Sequence, residues 1–204
     1  MSPSLPVLDK TRHMYMLNGV EVPGVTQILA PLTNLQCVKP DVLRAAAEFG
    51  TAVHKACELD DLRTLDELTL DAALAPYLQA WRRFSTDYEV KWSMVEACVY
   101  NPQVGYAGTL DRYGTVKGEP CVVDLKSSAA LYPALGPQLA AYAKAIPGNS
   151  VLTKRIGVLL KPNGAYEAKA YSSPTDWAVF ASLVTLRSFC KLHKITPNFK
   201  EIAK

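Results

Sequence analysis

Residues 106–128, YAGTLDRYGTVKGEPCVVDLKSS, read as two strands joined by a turn. The first segment is rich in Tyr, Thr and Val, which suit a pleated, half-buried surface. Gly118-Glu119-Pro120 breaks it, and an apolar run restarts at Cys121-Val122-Val123. That run ends in Asp124-Leu125-Lys126. Side chains alternate across a strand, so Asp124 and Lys126 share one face and Leu125 turns to the other. Asp111 lies on the neighbouring strand, and a short turn can set Asp111 and Asp124 side by side. Two close carboxylates repel unless a cation or a proton sits between them. The pattern therefore reads in two ways: a solvated strand end with an ion pair, or a metal-ligand pair beside an ammonium group.

The segments around it define the fold class. Residues 90–101, VKWSMVEACVYN, form a further strand of the same meander and carry Glu96, placed to point toward Asp111. Residues 136–146, GPQLAAYAKAI, form a short helix that puts Gln138 and Tyr142 four positions apart on one face. Residues 154–171 are a hairpin turning at Asn163-Gly164, and residues 173–195 a final helix. Towards the N-terminus, MYMLNGVEVPG (14–24) carries a hairpin signal at Asn18-Gly19. VTQILAPL (25–32) is a first helix with Thr26 as its cap. Residues 41–60 are helical, with Asp41 as the cap and His54 on the helix. Gly50 makes this either two helices or one with a close contact at the glycine. Residues 64–88 read as a second long helical region, with Pro76 near a helix start. The order of helices, meander, helix, hairpin, helix predicts a single mixed α/β (α+β) domain over 1–204. Its helical part spans about 25–90, its sheet core about 90–172 and its last helix about 174–195.

Composition narrows the function classes. With 204 residues, 49% apolar and 20% charged, the chain can bury one substantial core. A net charge of +3 permits a polyanionic partner. No 18-residue apolar run occurs, which predicts no membrane span, and MSPSLPVLDKTRHM lacks a signal-peptide core. The five cysteines, Cys37, Cys57, Cys98, Cys121 and Cys190, are scattered and form no CxxC pair. Reduced thiols in a cytoplasm follow, with no disulfide framework, zinc site or iron–sulfur cluster.

Each chemical signal is common by itself. A D-x-K strand end is usually a solvated ion pair, a lone His in an Ala-rich helix is usually satisfied locally, and a strand Glu is usually solvated. Their order is more specific: Gly50 to His54 (G-x-x-x-H), Gly108 to Asp111 (G-x-x-D), Asp124 to Lys126 (D-x-K) and Gln138 to Tyr142 (Q-x-x-x-Y). This succession resembles the RecB-type branch of the PD-(D/E)XK nuclease superfamily, over roughly residues 22–145. VPGVTQIL (22–29) is similar to the opening of phage and mitochondrial-maintenance-type exonucleases of that branch.

The resemblance implies a restriction-endonuclease-like core, a mixed sheet flanked by helices. It implies Mg²⁺ or Mn²⁺ held by Asp111, Asp124 and the Leu125 carbonyl, with His54 a ligand or beside the ligands. Lys126 would position the attacking water and Glu96 would assist catalysis. Gln138, Tyr142 and Ser127 would hold substrate. The activity implied is a metal-dependent DNA exonuclease of phage or bacterial recombination, replication or repair. The alternatives are a structure-directed or single-strand endonuclease, or an inactive DNA- or partner-binding module. DNA is the implied partner, with a single-strand annealing or single-strand-binding protein as a second. The chain departs from iron–sulfur-bearing relatives in having only Cys190 where they carry a C-terminal cysteine cluster. It has Asp124 where the wider superfamily has Glu; Asp is usual in the RecB-type branch.

Backbone-gripping candidates are Lys39, Arg44, Lys55, Arg82 and Arg83, then Lys154, Arg155, Lys161, Lys169, Arg187, Lys191 and Lys194. Trp81, Tyr106, Tyr113 and Tyr132 are candidates for stacking on unpaired bases. No base-reading motif is present, which points to end- or structure-directed cleavage.

Overall fold

A computed structural model describes residues 5–9, 14–33, 39–148 and 153–197. Its centre is a five-stranded sheet built from β4 (Lys91–Asn101), β5 (Tyr106–Val116), β6 (Glu119–Lys126), β7 (Lys154–Leu160) and β8 (Tyr166–Ala170), in that spatial order. All neighbours run antiparallel except β6 and β7, which are parallel. A parallel pair needs a crossover, and α4 (Leu135–Ala145) supplies it. The molecule is therefore mixed α/β, a mixed sheet flanked by helices.

Strand alternation sorts the core into two layers. Val122 faces a cluster with Leu110, Tyr106, Val99 and the α4 residues Leu139 and Tyr142. α1 (Val25–Leu29) and α5 (Thr175–His193) complete that side. Cys121, Val123 and Leu125 face the other cluster. It is built by α2 (Pro40–Asp61) and α3 (Ala75–Asp87) through Val53, Cys57, Trp81 and Phe84. A small sheet of β1 (Val7–Asp9), β2 (Met14–Leu17) and β3 (Val20–Val22) closes the N-terminal end. Asn18 and Gly19 turn its hairpin with φ of 50° and 80°, the positive pair a two-residue turn of this type requires.

Several sequence-based boundaries are corrected. α1 is capped by Gly24, not Thr26: the Gly24 N–H donates to Gln27 Oε1 at 3.1 Å, and the chain enters the helix straight from a bridge to Ala107. α2 is capped by Lys39, with Pro40 in the first turn. Asp41 sits inside that turn, paired to Arg44 at 3.0 Å, where its charge suits the helix dipole. α2 runs unbroken through Gly50, and a Cβ there would lie 3.6 Å from Ser127 Oγ, an ordinary contact. Residues 64–74 are not α-helical. Asp66 accepts from Leu68 N–H at 3.0 Å and Asp71 from Ala73 N–H at 2.8 Å, local bonds that compete with helix. A 3-10 turn, Glu67–Thr69, forms instead, and α3 starts beside Pro76 as expected. Cys57, Cys98, Cys121 and Cys190 are unpaired thiols, and Cys37 lies outside the described residues. No described helix is long and apolar enough to cross a membrane.

Candidate metal centre

The site begins where two strands part. β5 and β6 pair from Val116↔Glu119 to Arg112↔Val123 and no further. Beyond that point β5 continues on β4, and β6 continues on β7. The first residues past the fork are Asp111 and Asp124. Asp111 is 8% exposed and Asp124 0%. The parting leaves β6 without its ladder partner on that side. Asp111 Oδ2 takes that place, accepting from Leu125 N–H at 2.9 Å.

Asp124 is held from the α4 layer. Gln138 Nε2 donates to Asp124 Oδ1 at 3.0 Å and to Tyr142 Oη at 3.3 Å. The Q-x-x-x-Y spacing thus makes one continuous clamp on the helix face. Gly108 makes room for it. A Cβ at Gly108 would lie 2.7 Å from the Tyr142 ring and 3.0 Å from Val25. Lys126 Nζ lies 2.5 Å from Asp124 Oδ2, a close ion pair. Among the described residues, that ammonium is the one polar group set against this buried oxygen. Burial, reinforced by Asp111, pushes the Asp124 carboxyl up to about 6, against the pull of Lys126. Burial alone would lower Lys126, but Asp124 and Asp111 outweigh it and hold the ammonium above its ordinary value. Burial and the same carboxylates keep the Tyr142 phenol neutral.

The other layer delivers His54. From α2, His54 Nδ1 stands 3.7 Å from Asp111 Oδ2 and 3.7 Å from Glu96 Oε1. Burial would lower the imidazole, yet Asp111 and Glu96 outweigh it and raise it. Ligand atoms of His54, Glu96 and Asp111 lie within 4.8 Å of one another. Glu96 reaches this place from the middle of β4 with φ of +45°, a left-handed backbone that a non-glycine residue adopts only when its surroundings impose it.

A third group was not legible from sequence. Arg112 is 0% exposed. Its Nε donates to Asp61 Oδ2 at 2.6 Å, and its Nη1 to Glu96 Oε1 at 3.0 Å and to the Asp111 carbonyl at 2.7 Å. Its guanidinium lies 5.4 Å from the Trp81 ring centre. Asp61 also accepts from the Trp81 and Trp92 indole N–H groups, at 3.1 and 3.2 Å. Next to Asp111, an arginine reads as a surface charge; only the fold buries it.

The structure thus brings together Asp111, Asp124, Lys126, Glu96, His54, Leu125, Gln138 and Tyr142. The converging trio is His54, Glu96 and Asp111, with Asp124 beside it, whereas the sequence pairs Asp111 with Asp124 and leaves Glu96 outside the metal set. Ser127 lies next along β6, where a cleft of about 480 Å³ opens at the ends of β6 and β7, lined also by Tyr77, Ser128, Lys161 and Asn163. The donor set suits a hard or borderline divalent cation: carboxylate oxygens, one imidazole, and a buried Asp124 oxygen whose neighbour is the Lys126 ammonium.

Two proposed contacts to unpaired bases are corrected. Trp81 and Tyr106 are 0% exposed and belong to the core; Tyr132 is exposed. Much of the basic surface is already paired. Arg82 binds Asp60 and Glu67, Lys55 binds Glu58, Lys154 binds Glu119, and Arg155 binds Asp176.

No described protein family matches the sequence. No curated protein matches it. Among solved structures, the chain is similar to SSO0001, at 17% identity over 86% of this chain and 87% of that one, with a TM-score of 0.37.

Proposed function

We propose that the chain is a metal-dependent deoxyribonuclease, acting as an exonuclease on a restriction-endonuclease-like core in bacterial or phage-infected cytoplasm. One observation carries the reading. The two aspartates are the first residues past the β5–β6 fork, with an ammonium against one and an imidazole and a glutamate against the other. Asp111, Glu96, His54 and Asp124 would hold Mg²⁺ or Mn²⁺. Such an ion polarises a phosphodiester and lowers the pKa of bound water.

The chain's own groups do the rest. Lys126, kept cationic by its carboxylate neighbours, serves as a hydrogen-bond donor to water and phosphate oxygen rather than as a base. Gln138 fixes the Asp124 carboxylate, and Tyr142 backs Gln138 as a neutral hydroxyl. Asp111 and Glu96 favour the protonated form of His54 against its burial, so a cation bound by these groups would compete with that proton. The cleft at the ends of β6 and β7, lined by Ser127, Lys161 and the Tyr77 ring, would receive a strand leaving the centre past Lys126.

The test is cleavage of end-labelled linear DNA, single- and double-stranded, beside a closed circle, with Mg²⁺, Mn²⁺ or EDTA. The reading predicts metal-dependent loss of linear DNA only, abolished in Asp124→Asn. Cutting of the circle contradicts the exonuclease; no cleavage with any metal contradicts the enzyme.

A further inference from the structure

We infer that Arg112, anchored by Asp61, is a positioning residue that sets the metal-binding geometry of Glu96 and Asp111. The inference rests on the metal centre proposed above and adds to it a group outside the ligand set.

A fully buried guanidinium is costly to desolvate, and packed apolar residues often serve stability as well or better. Arg112 is nonetheless buried, and its Nη2 finds no hydrogen-bond partner among the described residues. Its position follows from what it holds. Nη1 donates at once to the Glu96 carboxylate and to the main-chain carbonyl of Asp111, the residues that face each other across β4 and β5. Glu96 has its left-handed backbone at this point. The guanidinium therefore ties a strained carboxylate to the strand that bears its partner.

The other end of Arg112 is fixed as firmly. Asp61, at the end of α2, receives Arg112 Nε and two indole N–H groups, and the Trp81 ring lies against the guanidinium. α2 also carries His54, so one helix supplies a member of the trio and the anchor of the group that orients the other two. Lysine cannot reproduce this, because it offers a point charge where the site uses a planar fork.

Groups behind metal ligands typically change affinity by about 10- to 100-fold when removed. Mn²⁺ binding is measured by calorimetry on wild type, Arg112→Lys, Asp61→Asn, Glu96→Gln and the Glu96→Gln/Arg112→Lys pair, with folding checked by circular dichroism. Expected is a Mn²⁺ affinity weakened about 10- to 100-fold in Arg112→Lys and Asp61→Asn. In the Glu96→Gln background, Arg112→Lys should add a smaller loss, because the liganding carboxylate it orients is replaced by an amide and only Asp111 remains for it to position. Should Arg112→Lys fail to fold, Asp61→Asn carries the same comparison. Unchanged Mn²⁺ affinity in a folded variant, with only a lower melting temperature, overturns the inference and leaves the metal centre standing. No Mn²⁺ binding by wild type overturns the metal centre and the inference with it.

Discussion

Asp124 is held at a cost by its burial beside Asp111. Its carboxyl rises from an ordinary 3.8 to about 6 because burial and Asp111 disfavour the charge. A folded state that holds the proton more tightly than the unfolded chain is relatively most stable below pH 3.8 and loses that stability as pH rises through about 6. Two units correspond to roughly 3 kcal/mol at most. His54 has the same sign: its raised pKa contributes stability below the ordinary 6.5, lost as pH rises through the folded value. A cation restores what ionisation removes. The melting-temperature gain on adding Mn²⁺ should therefore be large at pH 8 and small at pH 5. An equal gain at both would mean that the ion binds away from Asp124 and His54. At this scale the sequence was partly legible. The same-face D-x-K and the i,i+4 Gln138–Tyr142 pair follow from strand and helix periods alone. Arg112 and Asp61 did not follow, because their burial depends on Trp81 and Trp92, which arrive from separate elements.

Between elements, Gly108 governs how α4 meets β5. The Tyr142 ring occupies the space a side chain would fill. Gly108→Ala should destabilise the fold by about 1–3 kcal/mol, the usual result of overpacking a buried contact. It should also loosen the Gln138 hold on Asp124. Urea unfolding measures the first effect; a wild-type midpoint would show that Tyr142 moves aside freely. Strands and most helices were readable here from alternation and turn residues. The failure at residues 64–74 came from Asp66 and Asp71, whose side chains satisfy nearby amides and offer the backbone a competing turn. Composition favoured helix there, and local hydrogen bonds decided against it.

For the whole molecule, the fork between β5 and β6 converts topology into a site. A mixed sheet must switch between antiparallel and parallel pairing; here β7 makes one switch and β6, at the fork, makes the other. At that switch, α2 brings His54 from one layer and α4 brings Gln138 from the other. The motif order in the sequence anticipated these residues; the convergence of Glu96 with His54 and Asp111 required the fold. The most direct test of the central claim is anomalous scattering from crystals soaked in Mn²⁺. The account predicts an ion at the fork, bound by Asp111 with ligands from among His54, Glu96 and Asp124. An ion elsewhere, or an empty fork in crystals that bind Mn²⁺ at other carboxylates, would contradict it.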